Sequence, residues 1–326
     1  MKTPTLFAAA AAVALALLSL AVVESDAAAL QVGYYRGKCG KKDVEAIIRG
    51  VVAARFRQDP TLVAALLQLQ FYDCFVNGCD ASILLDGPSC EKNAAPNLSA
   101  RGYDLIDEVK VAAESACPGV VSCADIIVTA TRDAIVLAGG SPYDVRTGRR
   151  DGRISLAKNV NLPAPSISVP EAIGVFKKKG LSANDMVILL GGHTVGVTHC
   201  SSFADRLYDY NKTGKSDQKM DQSFATTMKA KCPKNGKTNN KVNFKLNSLN
   251  SYALDNNYYK QVVAKKGILH IDQSLALDPA TKAMVASLAN GSDFRRRFSD
   301  AMIKLGAIQV LTGTQGEIRR SCRRTN

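Results

Sequence analysis

Apolar residues recur at helical spacing along most of the 326-residue chain, and alternating strand-like stretches are few. The pattern is that of a mainly α protein. Asp59-Pro60 reads as an N-cap and first-turn proline, and the spacing beyond it predicts a helix through Asp73. "SAND" at Ser182–Asp185 fits a capping box, and the apolar run "MVILLGG" follows it toward His193. Between these, "TGRRDGRISLAKNVNLPAPS" (Thr147–Ser166) is loop-rich and separates two helical halves, about 30–150 and about 166–326.

The opening of the chain changes this picture. Lys2 is followed by an uncharged apolar stretch from Leu6 to Val23 and then by Ala27, Ala28 and Ala29, the layout of a secretory signal peptide over 1–29. A transmembrane anchor is the alternative, because the stretch sits at the lower edge of a span. The alanine-rich exit and the dispersed cysteines favour cleavage, export and no membrane attachment afterwards. Nine cysteines without a CxxC pair then read as a disulfide framework with one thiol left over. Eight cysteines allow 105 pairings, so counting does not give the connectivity.

The net charge of +13 gathers at "FKKKG" (Phe176–Gly180), "FRRRF" (Phe294–Phe298) and "RRSCRR" (Arg319–Arg324). With an export signal and no nucleic-acid motif, an acidic extracellular polymer is one expected partner; plain solvated faces are the other reading. Glycosylation sequons stand at Asn97, Asn211 and Asn290.

Candidate chemistry lies in two places. Asp73, Asp80 and Ser82 offer side-chain oxygens, and Val76 and Gly78 can offer carbonyls, within ten residues. This all-oxygen set suits Ca²⁺, but its spacing is not that of an EF-hand, and an ordinary capped turn would use the same residues. Histidine is limited to His193, His199 and His270, with no HExxH and no GxSxG nucleophile elbow in the chain. In "GGHTVG" the glycines flanking His193 would let a flat group approach the backbone.

Taken together, "VGYYRGKC", "FYDCFVNGCDASILLD", "ARGYDLIDEVK", "CPGVVSCADII", "GRRDGR", "NLPAP", "DMVILLGGHTVG" and "DNNYY" resemble the class III secretory plant haem peroxidases over essentially the whole chain after residue 29. The resemblance implies a two-lobed helical fold with haem b between a distal and a proximal half. It makes His193 the axial ligand and Asp272 its hydrogen-bond partner. Asp73, Val76, Gly78, Asp80 and Ser82 become ligands of a first Ca²⁺, with Glu91 behind them, and Pro163 lies at the substrate mouth. The implied disulfides are Cys39–Cys117, Cys74–Cys79, Cys123–Cys322 and Cys200–Cys232, leaving Cys90 free. Asn97 falls at a buried pocket position, so its sequon is expected to be unused. The implied substrates are H₂O₂ and small phenolic donors, acting on a monomeric protein of the cell wall or apoplast.

The departures are specific. Where the family reads Leu-Leu-Arg-Leu-His-Phe-His-Asp-Cys, this chain has Gln68 for the Arg and Tyr72 for the second His. Four apart, they share a helix face. A phenol of pKa about 10 is a poor base at neutral pH, and Gln68 carries no charge to stabilise the separating oxygen. Losing both functions predicts peroxide activation slower by roughly 10³–10⁵. A second Ca²⁺ site keeps Thr194 and Asp255 but places Lys245 where an Asp is expected, in a segment slightly longer than the family pattern; Asn247 or Asn250 would have to substitute. Tyr143 stands in place of the family's single Trp. Two readings follow: a haem peroxidase with weakened activity, or a non-catalytic haem- and Ca²⁺-binding relative on acidic wall polymers.

Overall fold

The computed structural model describes residues 30–235, 240–245 and 252–326. The expected signal segment 1–29, Asn247 and Asn250 lie outside the described residues. Among the described residues there are twelve α-helices and two small antiparallel ribbons. None of the helices is long and apolar enough to cross a membrane.

The first half is built by α1 (Val44–Gln58), α2 (Leu62–Val76), α3 (Tyr103–Ala116) and α4 (Cys123–Leu137). Asp43 caps α1 by accepting from the Ala46 N–H at 3.0 Å, and Ser122 caps α4 through Asp125 N at 3.1 Å. α4 is buried along Cys123–Ile135 and forms the centre against which α1 and α2 pack. The expected start of α2 is corrected by the structure. Asp59 ends α1, its N–H bonding Arg55 O at 2.9 Å. Its carboxylate accepts from Thr61 N at 2.9 Å and from the Thr61 hydroxyl, so Asp59-Pro60 is the junction between two helices. The helix begins at Leu62 and passes Asp73 to end at Val76.

The second half holds α5 (Val169–Lys178), α6 (Ala183–Leu190), α7 (Ala204–Tyr208), α8 (Gln222–Lys231), α9 (Asn257–Val263), α10 (His270–Leu275), α11 (Lys282–Asn290) and α12 (Phe294–Leu305). The Ser182–Asp185 box forms as read: Asp185 N bonds Ser182 Oγ at 3.1 Å and Ser182 N bonds Asp185 Oδ2 at 2.9 Å. One large apolar core runs through both halves, from Ile48 and Leu66 to Tyr259 and Phe298. A smaller core of Phe203, Leu207, Phe224 and Met228 lies beside the Cys200–Cys232 bond. Strand β1 (Gln31–Val32) pairs with β2 (Arg146–Thr147), and β3 (Val197–His199) with β4 (Lys241–Asn243).

After α12 the chain returns to the first half. Cys79 N donates to Ile308 O at 2.9 Å, Arg150 N to Leu311 O at 2.8 Å, and Asp86 N to Arg323 O at 2.8 Å. Gly78 has φ +104°, and a Cβ there would strike the Gln309 backbone, so both conformation and space require glycine. Disulfides join Cys39–Cys117, Cys74–Cys79, Cys123–Cys322 and Cys200–Cys232, and Cys90 is free and buried.

A buried ion pair locks the return. Arg149 donates to Asp125 at 2.8 Å and to Gly306 O at 2.6 and 2.9 Å. Asp125 also receives the Tyr35 hydroxyl and the Gly148 N–H, each at 2.6 Å. Removing one member of such a pair strands the other charge. Arg149→Met should therefore lower the unfolding free energy by about 3–5 kcal/mol in denaturant titrations. A loss under about 1 kcal/mol, the scale of an exposed pair, would show that Asp125 is satisfied without it.

Candidate active site

A short 3₁₀ turn, Gly191–Thr194, extends the end of α6 and presents His193. Its Nδ1 lies 2.8 Å from Asp272 Oδ1 in the first turn of α10. The side chain of His193 is 31% exposed while that of Asp272 is 1% exposed, so the imidazole has one face of the site open and its anchor closed. Tyr258 Oη donates to the same Asp272 oxygen at 2.9 Å. Burial, and then the Asp272 charge, push the Tyr258 phenol well above its ordinary pKa, which keeps it a donor. With Nδ1–H directed at the carboxylate, Nε2 keeps its lone pair for a ligand. Phe244 stacks on the ring, centroids 4.8 Å apart and planes within 1°. Neither Phe244 nor Tyr258 was singled out from the sequence, although Tyr258 lies in "DNNYY".

Two of the three glycines around His193 have a packing role. A Cβ on Gly191 would collide with the Tyr259 hydroxyl and come within 2.7 Å of Phe294, and Gly196 has φ +89° with Ala64 close by. Packing inside the protein requires these two glycines. The Gly196 contact also sets the His193 turn against α2, one helical turn before Gln68.

On α2, Gln68 Nε2 donates to Tyr72 Oη at 3.0 Å and to Ser99 Oγ at 3.3 Å. Burial raises the Tyr72 pKa, outweighing the opposing hydrogen bonds from Gln68 and Ser99. The phenol is therefore protonated and is no base at neutral pH. Ser99 is a partner missed in the sequence, hidden as the third residue of the Asn97 sequon. Asn97 is 2% exposed; its Nδ2 donates to Glu91 O at 2.8 Å, and its Oδ1 is buried without a partner. Phe71 lies beside them, its ring 4.1 Å from Phe75. Pro163 is half-buried, and two residues on, the Pro165 carbonyl accepts from Ile271 N at 3.1 Å, next to Asp272. Tyr143 is half-buried, and its carbonyl accepts from Arg132 at 3.1 Å.

The oxygen-rich loop after α2 is short of donors. Asp73 Oδ1, Ser82 Oγ and Glu91 Oε2 are all buried without a partner. Burial, and then the Asp80 charge, push Asp73 well up; burial also raises Asp80 and lifts Glu91 to about 7. Arg319, fully buried, offsets part of this charge and donates to Ala81 O at 2.9 Å and Gly152 O at 2.7 Å. "RRSCRR" is thus no uniform basic face: Arg319 is internal and Arg323 is bound to Asp107 at 2.7 Å. Lys179 Nζ donates to Val76 O at 3.1 Å, a contact a cation would share. Among the described residues no three of His, Cys, Asp or Glu form a metal site by themselves. The loop fits a hard cation when Ser82 and the Val76 and Gly78 carbonyls are included. Thr194 and Asp255 also meet, at 2.9 Å, but Lys245 lies on the same carboxylate at 2.6 Å, so these residues do not fit a second metal.

A family model described as peroxidase matches residues 48–291. The chain belongs to the peroxidase family, as a class III plant-type member. It is 48% identical to Peroxidase 60 of Arabidopsis thaliana over 299 residues, covering 91% of this chain and 90% of that protein. It is 47% identical to Peroxidase 57 of the same plant, covering 92% and 93%, and 46% identical to Peroxidase 44, covering 95% and 97%. Membership implies haem and calcium as cofactors, and peroxide with small electron donors as substrates.

The loop's titration gives a test. The folded chain holds the Glu91 proton up to about pH 7, whereas an unfolded glutamate releases it near 4.5. In that window the folded state binds more protons, so stability falls as pH rises. With chelator present, the protein should lose on the order of 3 kcal/mol between these limits. Glu91→Gln should reduce that slope in urea titrations at several pH values; an unchanged slope would clear Glu91 of the effect.

Proposed function

We propose that this chain is an exported haem peroxidase of the plant cell wall whose peroxide activation is weakened, with phenolics as electron donors. The observation that carries the reading is the contrast between the two sides of the site. The His193–Asp272–Tyr258 relay is complete, whereas Gln68 and Tyr72 bond to each other. Haem, when bound, supplies the redox iron and stores the oxidising equivalents drawn from peroxide. His193 would hold it through Nε2, and Asp272, by accepting the hydrogen bond from Nδ1–H, makes the imidazole a stronger donor. Asn97 Oδ1, buried and unpartnered, fits an N–H donor or a water in the same pocket.

On the α2 side the chain's own groups move protons poorly. Tyr72 cannot take a peroxide proton at neutral pH. Gln68 offers an uncharged amide, already directed at Tyr72, where a cation would stabilise the departing oxygen. In this proposal the half at about 30–150 supplies the altered face and the half at about 166–326 the haem ligand. Asp73, Val76, Gly78, Asp80 and Ser82, with Glu91 behind, hold one Ca²⁺, and donors approach near Pro163. Asn211 and Asn290 are exposed and open to glycosylation, whereas Asn97 is not. The Gln68–Tyr72 bond also favours a second reading, a haem- and Ca²⁺-binding relative without catalysis.

Hemin-reconstituted wild type, Tyr72→His, Gln68→Arg and the double variant separate these readings, with His193→Ala as the control that should lose haem. Stopped-flow loss of the resting haem absorption on mixing with peroxide should be roughly 10³–10⁵ faster in the double variant than in wild type. Each single change leaves the other side chain without its present partner, so the effects should not multiply. A wild type as fast as the double variant would overturn the weakened-activation reading. An inert double variant would give the lead to the non-catalytic one.

We also propose association with acidic wall polysaccharide through exposed Lys177, Lys178, Arg320 and Arg324. Retention on polygalacturonate should fall steeply with added salt. No retention at low salt would leave these charges as solvated surface.

A further inference from the structure

Asp255 is crowded by donors. Its Oδ1 accepts from Thr194 Oγ1 at 2.9 Å and from Asn257 N at 3.0 Å. Its Oδ2 accepts from Lys245 Nζ at 2.6 Å and from Asn257 Nδ2 at 3.1 Å. The Lys245 ammonium also donates to Ala253 O at 2.9 Å, and the residue is 3% exposed. An ammonium buried this deeply must stay paired, because stranding it or Asp255 would leave an uncompensated charge. It neutralises the carboxylate and gathers a side-chain oxygen and a main-chain carbonyl around one positive centre, which is what a bound metal ion does in such a loop. A divalent ion added beside it would meet the repulsion of a fixed charge a few ångströms away, with both carboxylate oxygens already engaged.

We propose that Lys245 is a tethered cation that occupies the place of the second calcium and fixes the His193 side of the site without metal. Two covalent neighbours carry the effect. Phe244, preceding Lys245, lies parallel to the His193 ring at 4.8 Å and donates its N–H to Gly196 O at 3.1 Å. Thr194, following His193, is held by the same Asp255 carboxylate. The Lys245–Asp255 bridge therefore grips the imidazole from its stacking partner and from its own backbone. Lowering calcium should disturb the loop after α2 and leave this side unchanged. The link to the imidazole rests on His193 holding haem; the cation count does not.

The test compares the full-length hemin-reconstituted wild type with Lys245→Asp, each equilibrated with excess calcium, desalted and assayed for calcium per chain. The variant, with Asp255, Thr194 and a new carboxylate, should hold one more calcium than wild type, and wild type should hold no more than one. Equal counts, or two calcium ions on wild type, overturn the proposal. Zero on wild type with one on the variant supports it and instead removes the α2 loop as a calcium site. Lys245→Met, which keeps the stem, guards against misfolding of the first variant. The iron–imidazole Raman band of reduced wild type should be unmoved by chelator, and that of Lys245→Met should shift and not be restored by calcium. A Lys245→Met band identical to wild type, or a wild-type band that moves on chelation, overturns the link to His193. A protein that takes up no haem fails the functional proposal, while the calcium counts still decide this one.

Discussion

The Arg149–Asp125 ion pair sets the spacing on which the site depends. Both charges are removed from water, and each is compensated by several partners. Asp125 stands at the start of α4, the helix that backs α2 and therefore Gln68 and Tyr72. Arg149 reaches Gly306, which ends α12, and α12 packs on α6, which leads to His193. One guanidinium thus couples the wall behind one face of the pocket to the wall behind the other. The chemistry has no tolerance for a drift between these walls, because productive geometries are held to fractions of an ångström.

Within that frame the two faces have been treated differently. The His193 face keeps a carboxylate with a tyrosine donor behind it and an aromatic ring against the imidazole. The α2 face carries two neutral groups, Gln68 and Tyr72, that satisfy one another. The part-buried amide–phenol bond leaves no uncompensated charge on this face. Asn97 on the same side has a buried carbonyl oxygen without a donor.

Much of this was legible in the sequence, for local reasons. Helix class, the Ser182 box and the His193 segment follow from spacing and capping, which act within a few residues. The peroxidase resemblance supplied the disulfide pairs, which spacing alone could not. The reading failed where two local signals compete: Asp59-Pro60 carries helix-start chemistry, but Asp59 already terminates the preceding helix. It also failed where the cause lies far along the chain. Gly191 is small because of Tyr259 and Phe294, and Arg319 is internal because Gly152 and Ala81 need its donors. Lys245 was visible as a charge in the wrong place, but its carbonyl and carboxylate partners emerge only when 245 and 253–255 are brought together. Ser99 and Phe244 carry no periodic signal that marks them.

The return of the chain after α12 has a consequence for the order of assembly on the ribosome. The loop after α2 is translated early, yet its Cys79 amide, the close seat of Gly78 and the neighbouring Ala81 carbonyl are completed only by residues 308–319. Cys123 likewise waits for Cys322, 199 residues later. The emerging first half therefore remains an unfinished template with exposed amides and a free thiol until residues 308–322 have been added. Folding of the oxygen-rich loop is a late event imposed by topology, whatever its own local preferences.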